Sequence, residues 1–277
     1  MANYTAADVK KLRELTAAGM LDCKNALVEA EGDFDKAVAI IRVKGLKGVT
    51  KREGRSAQNG LIAGKADGNL GVLFELNCET DFVAKGERFR ALADEILTAL
   101  VDSKIGDLEG FLNSAYAPGK TVADHLNEGN AILSEKIELR RIIVLDGAPV
   151  AVYLHRTSPD LPPQVGVLVQ LTKAAGKIGN DVAQHIAAFA PQFVAKEDIP
   201  AATIESERLI AEETARNEGK PEAALSKIVE GRVSGFVKDV TLLDQAFAKD
   251  NKKSVKQVLD EAGTGVTTFA RYRVGQA

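Results

Sequence analysis

The segment "GLIAGKADGNLGVLFELNC", residues 60–78, decides the fold, because it holds two runs of strand-forming residues separated by the turn-forming "ADGN". Two such runs across a short turn predict a β-hairpin. The next apolar pattern, over about residues 88–101, has the spacing of an amphipathic helix. Its apolar face consists of Phe89, Leu92, Ala93, Ile96, Leu97 and Leu100. The sequence therefore predicts a strand–strand–helix unit.

A later segment, "VAVYLHRTSPDLPPQVGVLVQLTKAAGKIGNDVAQHIAAFA" at residues 150–190, repeats this plan. Both units open their second strand with Gly-Val-Leu, at residues 71–73 and again at 166–168, an offset of 95 residues. We interpret the two segments as copies of one ββα unit that pack together in an α+β core. The predicted first core subdomain covers residues 60–145, and the second covers 146–197 and 240–277.

The two copies differ in the connection between the second strand and the helix. The first reads "NCETDFVAKG" and the second reads "TKAAGKIG", which has neither an acid nor an aromatic residue. If Phe82 served only the packing that both units share, the second copy would hold a counterpart. The difference favours a task for Phe82 that is specific to the first copy, with the ring held out for another protein.

The N-terminal residues 1–45 are predicted to form a module of three helices. Thr5 with Asp8 predicts a capping box at the start of the first helix, and Gly19 is expected to end it. Asp22 and Asp33 are the expected N-caps of the second and third helices. At this length the module has a small core, so a partner could complete its surface.

Two further segments interrupt the core. Residues 46–59 are rich in glycine and basic residues, which predicts a linker. Residues 198–239 are typical of a helical hairpin that breaks at "EGKP" and projects as an antiparallel coiled coil. Its second arm carries an apolar stripe of Leu225, Ile228, Val229, Val233, Phe236 and Val237. After the hairpin, "SVKQVLDEAG" predicts a Ser-capped helix, and "VTTFARYRV" predicts a final strand.

Composition excludes several classes of protein. The chain has 277 residues, of which 45% are hydrophobic and 27% charged, with a net charge of −3. These values are ordinary for a globular protein and disfavour a binder of nucleic acid, which needs clustered basic residues. The sequence has no apolar run of membrane-spanning length and no secretory signal, so we expect a cytoplasmic protein with no membrane partner. Cys23 and Cys78 are expected to be reduced thiols.

The sequence contains no catalytic constellation. His125, His155 and His185 lie in different predicted elements without metal-ligand spacing, and no serine-hydrolase, phosphate-loop or zinc-protease motif is present. We therefore predict a binding protein with no catalytic, cofactor-binding or metal-binding residues, which is not an enzyme that makes or breaks covalent bonds.

Several segments resemble one known family. "ELNCETDFVAK" at residues 75–85 is similar to the most characteristic motif of bacterial elongation factor Ts, the guanine-nucleotide exchange factor of elongation factor Tu. "LRELTAAGMLDCKNAL" at residues 12–27 resembles the N-terminal signature of that family. "GKPEAALSKIVEGR" and "LLDQAF" resemble its coiled-coil hairpin and the connection that follows. The similarity extends over essentially the whole chain.

The resemblance implies a ubiquitin-associated (UBA) type of N-terminal domain, a core of two related α+β subdomains and an inserted coiled coil. It implies that Thr80, Asp81, Phe82 and Val83 disturb the magnesium site of elongation factor Tu, with Phe82 acting as a wedge. The N-terminal helices would dock on the nucleotide-binding domain of the same partner, and the C-terminal half of the core would contact a different domain. The implied N-terminal docking residues are Leu12, Arg13, Thr16, Gly19, Met20, Asp22, Cys23 and Lys24.

Some alternatives stay open at the level of sequence. Asp81 either caps the helix after the motif or contacts the partner directly. The hairpin leaves the formation of a homodimer undecided. The main rival function is that of a UBA-type adaptor or scaffold without exchange activity, which would have no need of a wedge in a connecting segment.

Overall fold

A computed structural model describes residues 3–16, 18–52 and 54–276 of the chain. The N-terminal module contains three helices, α1 (Ala6–Thr16), α2 (Met20–Glu29) and α3 (Phe34–Arg52). The predicted capping box of α1 is confirmed, since the Asp8 N–H donates to Thr5 Oγ1 at 3.2 Å and the Thr5 N–H donates to Asp8 Oδ2 at 2.8 Å. Asp33 caps α3 as predicted by accepting the Lys36 N–H at 3.0 Å.

The start of α2 differs from the prediction. Asp22 is not the N-cap, because the helix already begins at Met20 and Gly19 holds the capping position. Gly19 therefore precedes α2 instead of ending α1. Asp22 lies in the first turn of α2, where its negative charge interacts favourably with the positive end of the helix dipole without capping it.

The first core subdomain contains a three-stranded antiparallel sheet in the order β1–β2–β5. The predicted helix at about residues 88–101 is confirmed as α5. The elements of this subdomain are β1 (Asn59–Asp67), β2 (Leu70–Cys78), α4 (Asp81–Lys85), α5 (Glu87–Ser103), α6 (Leu108–Asn113), β3 (Ala115–Ala117), β4 (Lys120–Thr121), α7 (Val122–Leu133) and β5 (Glu138–Leu145).

The second core subdomain has an equivalent sheet in the order β6–β7–β10. Its chain is interrupted by a helical hairpin made of α9 and α10. The elements are β6 (Val150–His155), β7 (Val165–Leu171), α8 (Lys177–Phe189), α9 (Ala201–Asn217), α10 (Glu222–Val240), β8 (Ala246–Phe247), β9 (Asp250–Ser254), α11 (Val255–Glu261) and β10 (Val266–Arg273).

The internal repeat is longer than the ββα unit read from the sequence. The two Gly-Val-Leu segments lie in β2 and β7, the central strands of their sheets. Each subdomain then continues with a small two-stranded sheet, a helix and a last strand that pairs with the central one. The helices α7 and α11 both begin with a capping box, at Thr121 and Ser254. The hairpin is thus an insertion in the second copy.

The prediction of a linker over residues 46–59 is wrong as far as Arg52, because α3 runs through this segment. Residue 53 lies outside the described part of the chain. The glycines at 45 and 48 each disfavour helix by about 1 kcal/mol relative to alanine, but tertiary contacts offset this cost. α3 packs against α7, and the Arg52 guanidinium donates to the Asn130 backbone oxygen at 3.0 Å.

The two sheets pack face to face. Alternate residues of β2, among them Val72 and Phe74, point toward α5 and α7, whereas Leu73 packs against Leu168 of β7 between the sheets. A Cβ atom added at Gly71 would collide with the Val150 side chain, and one added at Gly166 would collide with Ile62. The glycines that open the two repeated segments are therefore required for the close approach of the sheets.

A buried carboxylate closes one end of this interface. Glu75 has no solvent exposure, and it accepts hydrogen bonds from Arg141 Nε at 2.7 Å and from the Gly275 backbone N–H at 2.8 Å. Arg141 also donates to the Arg273 backbone oxygen and lies over the Tyr272 ring. The C-terminal strand of the second subdomain is thereby tied to the first, and a buried charge is compensated by its partners.

The helical hairpin has an apolar seam of its own. α9 and α10 are separated by residues 218–221, the break that the sequence predicted, and Ala211 packs against Val229 and Val233 in the seam. At the base of the hairpin, Val237 and Val240 pack on Ile199 and Phe193. Of the predicted stripe on the second arm, Val229 and Val233 thus pack within the hairpin, whereas Phe236 and Val237 pack at its base.

Gly71→Ala tests the packing of the two sheets. The added methyl group must displace Val150 in a close-packed interface, so we expect the free energy of unfolding to fall by about 1–3 kcal/mol in urea titrations. Gly166→Ala should behave alike because of Ile62. Gly235→Ala is the matched control, since it lies within α10 with no atom near the added Cβ and should stabilise the chain slightly. Equal stability of all three variants would contradict the role of the two strand glycines.

Candidate functional site

The motif at residues 80–83 lies on the surface, immediately beyond the end of β2. Phe82 is 81% exposed, the highest value among the large hydrophobic side chains that the structure describes. A phenylalanine contributes to folding mainly through the apolar area that it buries. Phe82 buries little, so it is not a core residue of this fold, and its exposure needs another explanation.

The neighbours of Phe82 fix α4 to the core. Thr80 is the N-cap, with its Oγ1 accepting the Val83 N–H at 3.4 Å. Ala84 is buried, and Val83 packs against the core of the first subdomain. The apolar side of α4 therefore faces inward and leaves Phe82 on the outer side. Gly86 ends the helix and serves as the N-cap of α5.

The structure decides the first alternative for Asp81. Thr80 occupies the capping position, so the hypothesis that Asp81 caps the helix is wrong. Asp81 lies in the first turn and pairs with Lys85 at 2.7 Å, with both side chains accessible to solvent. The hydrogen bond from Lys85 lowers the pKa of Asp81, and burial opposes this effect without reversing it. The carboxylate is ionised at neutral pH and remains accessible to a partner.

The predicted N-terminal docking surface needs correction. Leu12 and Cys23 have no solvent exposure, because they form the core of the three-helix module. Both are therefore wrong as surface residues; their helical spacing places them on the inner faces of α1 and α2. The other predicted residues are exposed or partly exposed, and Met20, which is half exposed, is the large apolar side chain among them.

Two exposed apolar residues that the sequence reasoning missed lie close to Met20 in the chain. Leu15 and Leu21 are 63% and 68% exposed. Both lie off the buried helical stripes, which is the signal that could have identified them. Leu15 also lines a cleft of about 350 Å³ between the module and α7, together with Ile41 and Ile132. The apolar part of this surface is thus formed by Leu15, Met20 and Leu21.

Comparison with known proteins identifies the family. A sequence model described as Elongation factor TS matches residues 79–276, a segment that includes the exposed Phe82. The chain belongs to the elongation factor TS family. Elongation factor Ts of Streptomyces coelicolor is 60% identical, over 99% of this chain and 100% of that protein. The corresponding protein of Streptomyces avermitilis is 61% identical with the same coverage, and that of Acidothermus cellulolyticus is 57% identical over 100% of both chains.

The histidines of this family member have local structural partners. His185 is buried, where its Nε2 lies 2.8 Å from Gln245 Oε1 and its Nδ1 accepts the Ala248 N–H. Burial lowers the pKa of His185, so the ring is neutral at pH 7. His125 lies between Glu95 and Lys120. In the described ranges, no group of three acidic, histidine or cysteine side chains could hold a metal ion.

No helix in the part of the chain that the structure describes combines the length and the apolar character needed to cross a membrane.

Cys78, the last residue of β2, is buried directly behind the motif. Its Sγ donates to the Thr80 backbone oxygen at 3.1 Å. Burial, with a smaller contribution from the Glu135 carboxylate, raises the pKa of the Cys78 thiol to about 12. The thiol therefore stays protonated and unreactive at neutral pH, which is consistent with the predicted role of a small packed side chain.

Ionisation of the Cys78 thiol should lower the free energy of unfolding at alkaline pH. Its thiol ionises near 9.0 when unfolded but only near 12 when folded, so the folded state binds more protons between these values. The stability that Cys78 contributes is complete below pH 9.0 and is lost as the pH rises toward 12. Urea titrations of the parent chain and of Cys78→Ala, at about pH 8 and about pH 10.5, should show a smaller difference between the two at the higher pH. A constant difference would contradict this assignment.

Proposed function

We propose that this chain promotes the release of GDP from elongation factor Tu, and hence its reloading with GTP, by disturbing the magnesium and phosphate site of that protein. The exposed Phe82 on the anchored helix α4 is the observation that supports this proposal. In this proposal Phe82 is the wedge, while Thr80, Asp81 and Val83 form the element that presents it. The chain acts in the cytoplasm, binds elongation factor Tu with or without GDP, and requires no cofactor.

A wedge can act without a catalytic group. A GTPase holds GDP largely through backbone amides that cradle the phosphates and through a bound Mg²⁺ ion. A shift of about an ångström in these groups weakens their interactions with the nucleotide. A rigid aromatic ring suits this task because it occupies volume in a packed site and has few rotatable bonds.

Exchange follows from thermodynamic linkage between two ligands of the same partner. If this chain binds nucleotide-free elongation factor Tu more tightly than the GDP-bound form, it must weaken GDP binding by the same factor. Rebinding of a nucleotide then weakens the complex with this chain. The effect needs a ring that is accessible before binding, and Phe82 meets this requirement.

The N-terminal module supplies affinity in this proposal. Leu15, Met20 and Leu21 form an exposed apolar surface on a domain separate from α4. Because α3 is helical through Arg52 and packs on α7, the module is not loosely tethered to the core. A surface with a fixed position relative to Phe82 loses less conformational freedom on binding than one on a flexible linker.

The rival function, a UBA-type adaptor without exchange activity, is not favoured by the structure around Phe82. An adaptor could use the apolar surface of the module, but it has no use for an exposed aromatic ring on the outer side of α4. Membership of the elongation factor TS family also favours exchange.

Phe82→Ala should slow GDP release without unfolding the chain. We expect the release rate at saturating concentration to fall tenfold or more, equivalent to about 1.4 kcal/mol of lost coupling, with the melting temperature nearly unchanged. Phe89→Ala is the matched control, since Phe89 has no exposure and its loss should cost about 3–5 kcal/mol of stability. Release of a fluorescent GDP and thermal melts measure the two effects. A normal release rate for Phe82→Ala would refute the wedge.

Met20→Ser combined with Leu21→Ser tests the affinity surface. We expect the concentration needed for half-maximal GDP release to rise by about fivefold or more, because exposed apolar anchors carry much of the energy of a protein interface. The maximal rate should stay the same, since Phe82 is untouched. Leu209→Ser combined with Ile210→Ser is the control, because these two adjacent apolar residues are 57% and 55% exposed on α9, outside the N-terminal module. Equal effects of the two changes would contradict the assignment.

A further inference from the structure

We propose that Glu135, in the connection between α7 and β5, is a positioning residue that sets the orientation of Phe82 for nucleotide release. This inference rests on the proposed function. It concerns a residue that lies 55 positions along the chain from Thr80 and reaches it only through the fold.

The Glu135 carboxylate accepts three hydrogen bonds from the residues that lead into α4. Its Oε2 accepts the backbone N–H groups of Glu79 and Thr80, both at 3.0 Å. Its Oε1 accepts the Thr80 hydroxyl at 2.5 Å. Because the hydroxyl hydrogen points to Glu135, a lone pair of Thr80 Oγ1 is left for the Val83 N–H at the start of α4. Glu135 therefore fixes the N-cap on which the helix depends.

A reciprocal bond strengthens this connection. Glu79 accepts the Lys136 backbone N–H at 2.6 Å, while the Arg55 guanidinium lies 3.2 Å from both of its carboxylate oxygens. Partial burial opposes ionisation of Glu79, but the N–H of Lys136 and the Arg55 charge together lower its pKa. The two loops thus exchange carboxylate–amide hydrogen bonds, and Arg55 offsets the repulsion between neighbouring carboxylates.

α4 needs such an anchor because it is too short to hold its own conformation. A helix of five residues is unstable by itself. The strand β2 is fixed up to Cys78, and Val83 and Ala84 pack on the core, so residues 79–82 span between two fixed points. With Phe82 largely exposed, the backbone before it is oriented by the contacts of Glu79 and Thr80, three of which are made to Glu135.

The second copy of the repeat shows that folding does not require a carboxylate at this place. There the residues after the central strand β7 are held by the loop before β10. The Lys173 N–H donates to the Thr264 hydroxyl at 3.2 Å, and the Thr172 N–H donates to the Gly265 backbone oxygen at 2.9 Å. No helix equivalent to α4 lies between β7 and α8. Glu135, which accepts three hydrogen bonds, is thus found in the copy that has α4, the element that carries the exposed ring.

Glu135→Ala and Glu135→Gln separate the geometry of this contact from its charge. Alanine removes all three bonds, whereas the glutamine oxygen can still accept the two backbone N–H groups and its amide can donate to a reoriented Thr80 hydroxyl. Glu138→Ala is the matched control. Glu138 is three residues further along the chain, and its exposed carboxylate pairs with the Lys136 side chain at 3.0 Å without touching Thr80.

The first measurement needs no partner. The chain contains no tryptophan, so Phe82→Trp introduces a single fluorescent reporter at the site. We expect the fluorescence anisotropy of this reporter to fall when Glu135→Ala is added, and to be retained with Glu135→Gln and with Glu138→Ala. Unchanged anisotropy in the alanine variant would overturn the proposal, because the ring would then be oriented without Glu135.

The second measurement is GDP release from elongation factor Tu with Phe82 in place. We expect Glu135→Ala to lower the maximal release rate about tenfold, and Glu135→Gln to keep a maximal rate within about threefold of that of the parent chain. The half-saturating concentration should change less than about threefold in both variants. Glu135→Ala should slow the Phe82→Ala variant no further, since both changes act on one element.

Three outcomes of the release assay count against the proposal. A lower melting temperature with a normal release rate for the folded fraction would make Glu135 a structural residue only. An additional loss in the Phe82→Ala background would mean that Glu135 acts independently of the ring. If the parent chain does not accelerate GDP release, the proposed function itself fails and the role in exchange fails with it, while the anisotropy of the reporter still decides whether Glu135 orients residue 82.

Discussion

The two three-stranded sheets lie so close together at Gly71 and Gly166 that neither position has room for a Cβ atom. This contact requires the central strands to be apolar on both faces, one toward the helices and one toward the other sheet, as in sheets that are covered on both sides. Leu73 and Leu168 fill the space between the sheets, and the buried Glu75 ties the C-terminal strand across them. The other parts of the core are arranged around this pair of strands.

The candidate site is attached to one of these central strands, β2. β2 is buried along nearly its whole length and ends at Cys78, four residues before Phe82. An exposed ring on a short helix can act as a wedge only if the backbone beneath it resists the force of binding. The second copy ends its central strand in a similar buried position but continues through a loop into α8, without an exposed aromatic residue. One scaffold thus carries a specialised connection in one copy and a plain one in the other.

The continuous helix α3 changes how the N-terminal module relates to the core. The glycines of this segment lower its helix propensity, and its composition alone favours a linker. The contact of α3 with α7 and the bond from Arg52 to Asn130 supply the stabilisation that the local sequence lacks. The apolar surface of Leu15, Met20 and Leu21 is therefore presented by a module whose last helix is part of the packed structure.

The sequence by itself determined the elements that depend on contacts between residues close in the chain. The capping box of α1, the serine cap of α11, the hairpin turn of residues 60–78, the helix at α5, the break between α9 and α10 and the absence of a second-copy counterpart for Phe82 were all readable, because periodicity and capping act over a few residues. Only the tertiary structure decided that Leu12 and Cys23 are buried, that α3 continues through the predicted linker and that Thr80, not Asp81, caps α4. It also brought Glu135 to Thr80 across 55 residues. Such contacts follow from how the strands and helices pack, and no local pattern encodes them.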